Sequence, residues 1–133
     1  MLGLPSLHTL DHAQGARIWF AAEATDMRSG VDRLAERVRA EGQDPFSGHL
    51  FLFRSRRGDR LKILLWEQDG FVLWYKRLES GVFKWPRVKE GAHSLELRAS
   101  ELAMVLDGID VSKLKRVPRY ARISSENKER KLV

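Results

Sequence analysis

Four glycines recur at near-even spacing through the middle of the chain, Gly58, Gly70, Gly81 and Gly91, and the runs between them are apolar at consecutive positions. His49–Arg54, Arg60–Gln68, Phe71–Leu78, Val82–Trp85 and Ser94–Leu97 each read as a strand. Short strands at intervals of 10–12 residues with a glycine at each corner describe an antiparallel meander. Asp69-Gly70 is the sharpest turn signal, the favoured pair for a two-residue type I′ hairpin. That turn sets Lys62 opposite Arg77, Leu64 opposite Tyr75 and Trp66 opposite Leu73 on one face, and Ile63 opposite Lys76 and Leu65 opposite Trp74 on the other. Neither face is polar, whereas a sheet wetted on one side alternates. Both faces are therefore expected to be covered, one by helices and the other by the remaining chain or a partner subunit.

Arg17–Ala22 reads as a first strand. Val31, Leu34, Ala35 and Val38 then recur with helical spacing, with Ser29 and Asp32 as an approximate capping box and an end near Gly42. Asp44-Pro45-Phe46-Ser47-Gly48 suits a type I turn with Pro45 at its second position. A last helix over Ser100–Asp107 turns Leu102, Val105 and Leu106 inward and stops at Gly108, a natural C′ residue. The 133 residues support a single core. The expected fold is α+β: an antiparallel β-meander of about five or six strands with two helices. It occupies residues 17–112 as one domain, between a flexible lead-in over 1–16 and a basic tail over 113–133.

Charge separates those parts. Met1–Ser112 holds 16 basic and 16 acidic residues, while 113–133 holds eight basic against two acidic, the whole net charge of +6. A tail with Pro118 and few apolar side chains cannot offset the roughly 1–2 kcal/mol per residue that backbone ordering costs, so it is expected to be disordered when free. Without cysteine, disulfides, thiolate nucleophiles and cysteine-ligated metals are excluded. The longest apolar runs, Ile63–Trp66 and Phe71–Tyr75, fall far short of the ~20 residues of a membrane span. No secretory pattern opens the chain, and a cytoplasmic location without a membrane partner is expected.

Arg54, Arg56, Arg57, Arg60 and Lys62 crowd one hairpin corner, RSRRGDRLK, and a cationic tip of this kind most often meets backbone phosphate. The plain alternative is a charged loop that keeps sheet edges from aggregating. The Lys62–Arg77 pairing would add a phosphate-binding spot beside Trp66 and Tyr75, unless Arg60 opposite Glu79, with Asp59 nearby, neutralises it. Lys115, Arg116 and Arg119 of the tail complete the candidate nucleic-acid contacts.

Catalytic and metal signals are weak. His8 and His12 are spaced like helical ligands but lack a helical pattern and a third ligand, and His49 and His93 look structural. The acidic residues are spread evenly, so no carboxylate triplet of a nuclease stands out, and no phosphate-loop, dinucleotide or nucleophile-elbow motif is present. No cofactor and no enzymatic activity are expected. Of Trp19, Trp66, Trp74 and Trp85, at least two are expected in the core rather than as stacking platforms. The helices stand about sixty residues of strand apart, which excludes a helix-turn-helix.

Several strings resemble the TnpB, or second-open-reading-frame, accessory proteins of the insertion sequence 66 family. They are PFSGHLF (Pro45–Phe51), RRGDR-K-L (Arg56–Arg60, Lys62, Leu64), DG…YKRLE-G-F-WP (Asp69–Pro86) and LAM-L-GID (Leu102–Asp110). Thr25-Asp26-Met27-Arg28-x-Gly30 also looks like the family's TDMRKG element, so the resemblance spans about residues 17–110. Where the family usually has Thr-Pro before its last helix this chain has Arg98-Ala99, which moves the expected cap to Ser100. The resemblance implies a non-enzymatic accessory of bacterial transposition, working beside a DDE transposase and the element's other accessory protein. Taken with the arginine-rich corner, the Lys62–Arg77 pair and the basic tail, it supports binding to DNA at transposon ends, to the transposase, or to both. An interaction or dimerisation module without DNA binding is the alternative, and self-assembly is left open.

Overall fold

The computed structural model describes residues 16–108. The chain forms β1 (Ile18–Ala21), α1 (Val31–Ala40), β2 (Leu50–Arg54), β3 (Arg60–Glu67), β4 (Gly70–Arg77), β5 (Ser94–Leu97) and α2 (Ala99–Asp107). All five strands join one sheet in the order β4-β3-β2-β1-β5. The antiparallel β2-β3-β4 portion is the expected meander. The rest corrects that expectation, because β1 pairs parallel to β2, with Ile18 beside Leu50 and Phe20 beside Leu52, and antiparallel to β5. A parallel pair needs a crossover, and α1 supplies it between β1 and β2.

Val82–Trp85 is not a strand. It leaves β4 and lies against the β2–β3 corner, where the Phe83 N–H and the Trp85 Nε1–H both donate to the Gly58 carbonyl at 3.0 Å. Phe83 is buried, and Trp85 stacks on Phe20 with ring centroids 5.4 Å apart. The segment therefore serves as core cover, and it carries the chain from the β4 edge to β5 at the opposite edge.

Both faces of the sheet are covered, as the runs of consecutive apolar residues require, but the helices do not share a face. Leu50, Leu52, Leu61, Ile63 and Leu65 pack on one side with Leu102 and Val105 of α2 and with Phe83. Phe51, Phe53 and Leu64 pack on the other with Leu34, Ala35 and Val38 of α1. Fully burying side chains of this size is worth about 1.5–3 kcal/mol each, so β2 and β3, buried on both faces, anchor the molecule. Trp74 and Trp85 pack against the first cluster and Trp19 against the second, which places three of the four tryptophans at the core.

Local details differ from expectation at three points. Helix α1 starts from Gly30 without a side-chain cap rather than from a Ser29 box, and α2 starts from Arg98, whose N–H bonds Glu101 at 2.8 Å, rather than from Ser100. Gly108 closes α2 in the left-handed conformation, at φ 84°. The β3–β4 hairpin turns on Gln68-Asp69, not Asp69-Gly70: Glu67 faces Gly70, Lys62 faces Tyr75 and Arg77 faces Arg60. The Lys62–Arg77 pairing therefore does not form. A shift of two residues keeps every side chain on its expected face.

The turn leaves Gln68 as the one described non-glycine residue with positive φ, at 53°. That region costs a side-chain-bearing residue about 1 kcal/mol, which glycine avoids. Gln68→Gly is expected to raise stability by about 0.5–1 kcal/mol, a gain of roughly 2–6 °C in Tm by thermal unfolding.

Candidate nucleic-acid interface

The arginine-rich corner between β2 and β3 is braced by its own serine. Ser55 Oγ accepts the Gly58 N–H at 3.2 Å and the Arg60 N–H at 3.1 Å, and donates to Asp59 Oδ1 at 3.2 Å. Gly58 turns the corner at φ 81°, and a Cβ there would stand 3.1 Å from Trp85 Nε1. A glycine is needed on both counts. Arg56 and Arg57 occupy the exposed tip, and neither forms an ion pair among the described residues.

The second half of the site is the loop between β1 and α1, which the fold lays against this corner. Thr25 N–H donates to Arg54 O at 2.8 Å, and Arg54 Nη2 donates back to Ala22 O at 3.0 Å. Two cations support the loop from below. Lys62 Nζ donates to Met27 O and Ser29 O, each at 2.7 Å, and sits 5.3 Å from the centre of the Tyr75 ring. Arg37 of α1 donates to Glu23 O at 2.8 Å and to Thr25 Oγ1. Lys62 is only 8% exposed, and burial pushes its ammonium below the usual lysine range, opposed by the charge of Asp26. Its donors are turned inward, so it is a brace for the loop and presents no charge to a ligand.

Loop and corner together wall an open groove of about 470 Å³, between Asp26 and Arg28 on one side and Arg56, Arg57, Asp59 and Arg60 on the other. Asp26 accepts from three donors of Arg28, from Nε at 3.1 and 3.2 Å, Nη2 at 2.8 Å and the backbone N–H at 2.9 Å. The Arg28 side-chain bonds hold the Asp26 carboxyl at about 2. Arg28 remains almost wholly exposed, so it keeps donor edges free for a second acceptor. With Asp59 bonded to Ser55, four arginines face two engaged carboxylates, an arrangement suited to an anion with several oxygens.

The other expected contacts fall differently. Arg60 lines the groove, whereas Arg77 turns to Glu79 at 3.2 Å, so the proposed Arg60–Glu79 neutralisation is replaced by an Arg77–Glu79 pair. Arg54 is engaged with Ala22 O, as above. Lys115, Arg116 and Arg119 lie outside the described residues, as do His8, His12, most of the lead-in and the basic tail. Arg28 joins the groove although sequence charge clustering does not single it out. Its signal was present in the Thr25–Gly30 string, which pairs an arginine with a turn-forming aspartate. His49 is structural as expected: Nδ1 accepts the Arg17 N–H at 3.0 Å, and burial lowers its pKa. Among the described residues no group of acidic or histidine side chains could hold a metal ion, and no helix is long and apolar enough to cross a membrane.

The molecule is thus an α+β domain whose mixed sheet brings two separate sequence elements together around an arginine-lined groove. Residues 16–116 match the family described as IS66 Orf2 like protein, and the chain belongs to that family. It is 38% identical over 107 residues to the uncharacterized protein y4jC of Sinorhizobium fredii, covering 80% of this chain and 90% of that one. It is 39% identical over 102 residues to y4hO of the same organism, also uncharacterized, covering 76% and 87%. No solved structure matches the chain. Membership of the family supports an accessory role in transposition.

Lys62→Met keeps the side chain's bulk but strands two inward-facing carbonyls. Hydrogen bonds from a charged donor are worth about 1.5–3 kcal/mol, and a stability loss of about 2–3 kcal/mol is expected by denaturant titration. Amide exchange should accelerate first in residues 24–30. Equal acceleration across β2 and β3 would show that Lys62 supports the sheet rather than the loop.

Proposed function

We propose that this protein is a non-enzymatic accessory of insertion-sequence transposition that binds DNA through phosphate contacts in the groove between the β1–α1 loop and the β2–β3 corner. The observation that carries the proposal is the meeting of Arg28, Arg56, Arg57 and Arg60 around one opening while the nearby carboxylates are already engaged. Arginine suits this task because its planar fork meets phosphate oxygens two at a time. Transposon ends are the proposed DNA. The element's DDE transposase and other accessory protein are the proposed protein partners, in the cytoplasm of a bacterial cell. The basic tail adds sequence-independent affinity.

Fluorescence titration of terminal inverted-repeat and random DNA at several salt concentrations tests the groove. Each phosphate contact contributes about −0.9 to the slope of log affinity against log salt. Arg56→Ala/Arg57→Ala is expected to flatten the slope by about 2 and Arg28→Ala by about 1. Removing the tail by ending the chain at residue 112 is expected to flatten it by about 5 if six contacts are lost. A slope unchanged in the Arg56/Arg57 variant removes the groove from the mechanism. Absence of any DNA binding at low salt, with stable capture of the transposase, would favour an interaction module.

A further inference from the structure

Strand β4 closes one edge of the sheet, and its backbone is paired on one side only among the described residues. The Leu78 N–H donates to Asp59 O at 2.8 Å, which continues the β3–β4 ladder and fixes its phase. Residues 70, 72, 74 and 76 therefore bond β3, while the N–H and C=O groups of Phe71, Leu73, Tyr75 and Arg77 point outward. Natural sheets protect such an edge with charge, proline or a bulge. Here five consecutive apolar residues, Phe71–Tyr75, line it without interruption, and Tyr75 is 46% exposed. Among the described residues, the chain beyond β4 runs to the β2–β3 corner and does not pair with this edge.

The charges flanking the apolar run are complementary to their own reverse. Asp69, in the turn, precedes it, and Lys76 and Arg77, the latter in an exposed pair with Glu79, follow it. We propose that β4 pairs antiparallel with β4 of a second copy of this chain, joining two five-stranded sheets across a two-fold axis at Leu73. Outward-facing residues must face one another across the new ladder, which restricts the axis to odd-numbered positions or to those midway between two of them. Only the axis at Leu73 sets the apolar run wholly upon itself. It puts Phe71 opposite Tyr75, Val72 opposite Trp74 and Asp69 opposite Arg77. Aromatic and opposite-charge cross-strand pairs of this kind each favour pairing. An axis at Trp74 would instead put Phe71 against Arg77 and Val72 against Lys76.

The two-fold would stand normal to the sheet, so both copies would present their α1 faces on the same side. Strand spacing places the two β2–β3 corners about 30–40 Å apart, comparable to one turn of duplex DNA, about 34–36 Å. This last consequence rests on the DNA-binding reading, whereas the pairing itself does not.

Sedimentation equilibrium of the full chain without DNA tests the pairing. A dimer with a dissociation constant in the micromolar range is expected for an interface of this modest size. Asp69→Arg and Arg77→Asp are each expected to weaken it about five- to tenfold. The double variant, which restores opposite charges across the axis, is expected to recover to within about twofold. The two positions lie at opposite ends of β4, eight residues and roughly 26 Å apart, so they cannot compensate each other within a monomer. Tyr75→Pro removes an outward donor and should abolish the dimer while circular dichroism shows the sheet retained. A chain that stays monomeric at about 100 µM, or a dimer that none of these changes weakens, overturns the proposal.

Discussion

The ammonium of Lys62 joins two parts of the chain that would otherwise be independent. The β1–α1 loop has little apolar surface of its own, and its carbonyls need donors once it is laid against the sheet. Lys62, the third residue of a strand buried on both faces, reaches Met27 O and Ser29 O, while Arg37 holds Glu23 O from α1. A charged group buried in this way persists because its donors are satisfied, and removing it would leave acceptors stranded. The loop's position, and with it one wall of the groove, follows from that bridge.

Burial of β2 and β3 on both faces sets the frame around it. Layers on both sides of the sheet force α1 and α2 apart, one to each face, and force the residues after β4 to serve as cover instead of forming another strand. The corner between β2 and β3 is held from two directions, by Ser55 from within and by Phe83 and Trp85 through the Gly58 carbonyl. The arginine tip is thus mounted on a rigid turn. An ordered mount lowers the entropy lost when a ligand is gripped.

Much of this was legible in the sequence, and the misses have identifiable causes. The strands β2, β3 and β4, both helices and the burial of both faces followed from period and composition. The face of each residue in the β3–β4 hairpin was right although its register was not, because the error was two residues and the side-chain period is two. The register failed because Asp69-Gly70 is the stronger turn signal on paper, while the chain places Gln68 at positive φ instead. The parallel β1–β2 pair was not legible, since nothing in the period of a four-residue strand names its neighbour. In the groove, Lys62 groups with the arginines in sequence but not in space. Its place within the apolar run Leu61–Leu65 was the sign that it points into the protein. Arg28 is not legible as part of the groove for the opposite reason, since its proximity to Arg56 and Arg57 exists only in three dimensions.

What distinguishes the groove from ordinary surface charge is the allocation of the acids rather than the number of bases. Each nearby carboxylate already has a partner: Asp26 has Arg28, Asp59 has Ser55, and Glu79 has Arg77. Exposed pairs of this kind contribute little stability, with a median of about 0–1 kcal/mol. Their effect is geometric, fixing where negative charge lies and keeping it off Arg56 and Arg57. A neutral total charge over Met1–Ser112 is therefore compatible with a locally positive opening. Net charge by segment points toward the tail, whereas folding gathers Arg28, Arg56, Arg57 and Arg60 around one opening whose carboxylates are held by Arg28 and Ser55.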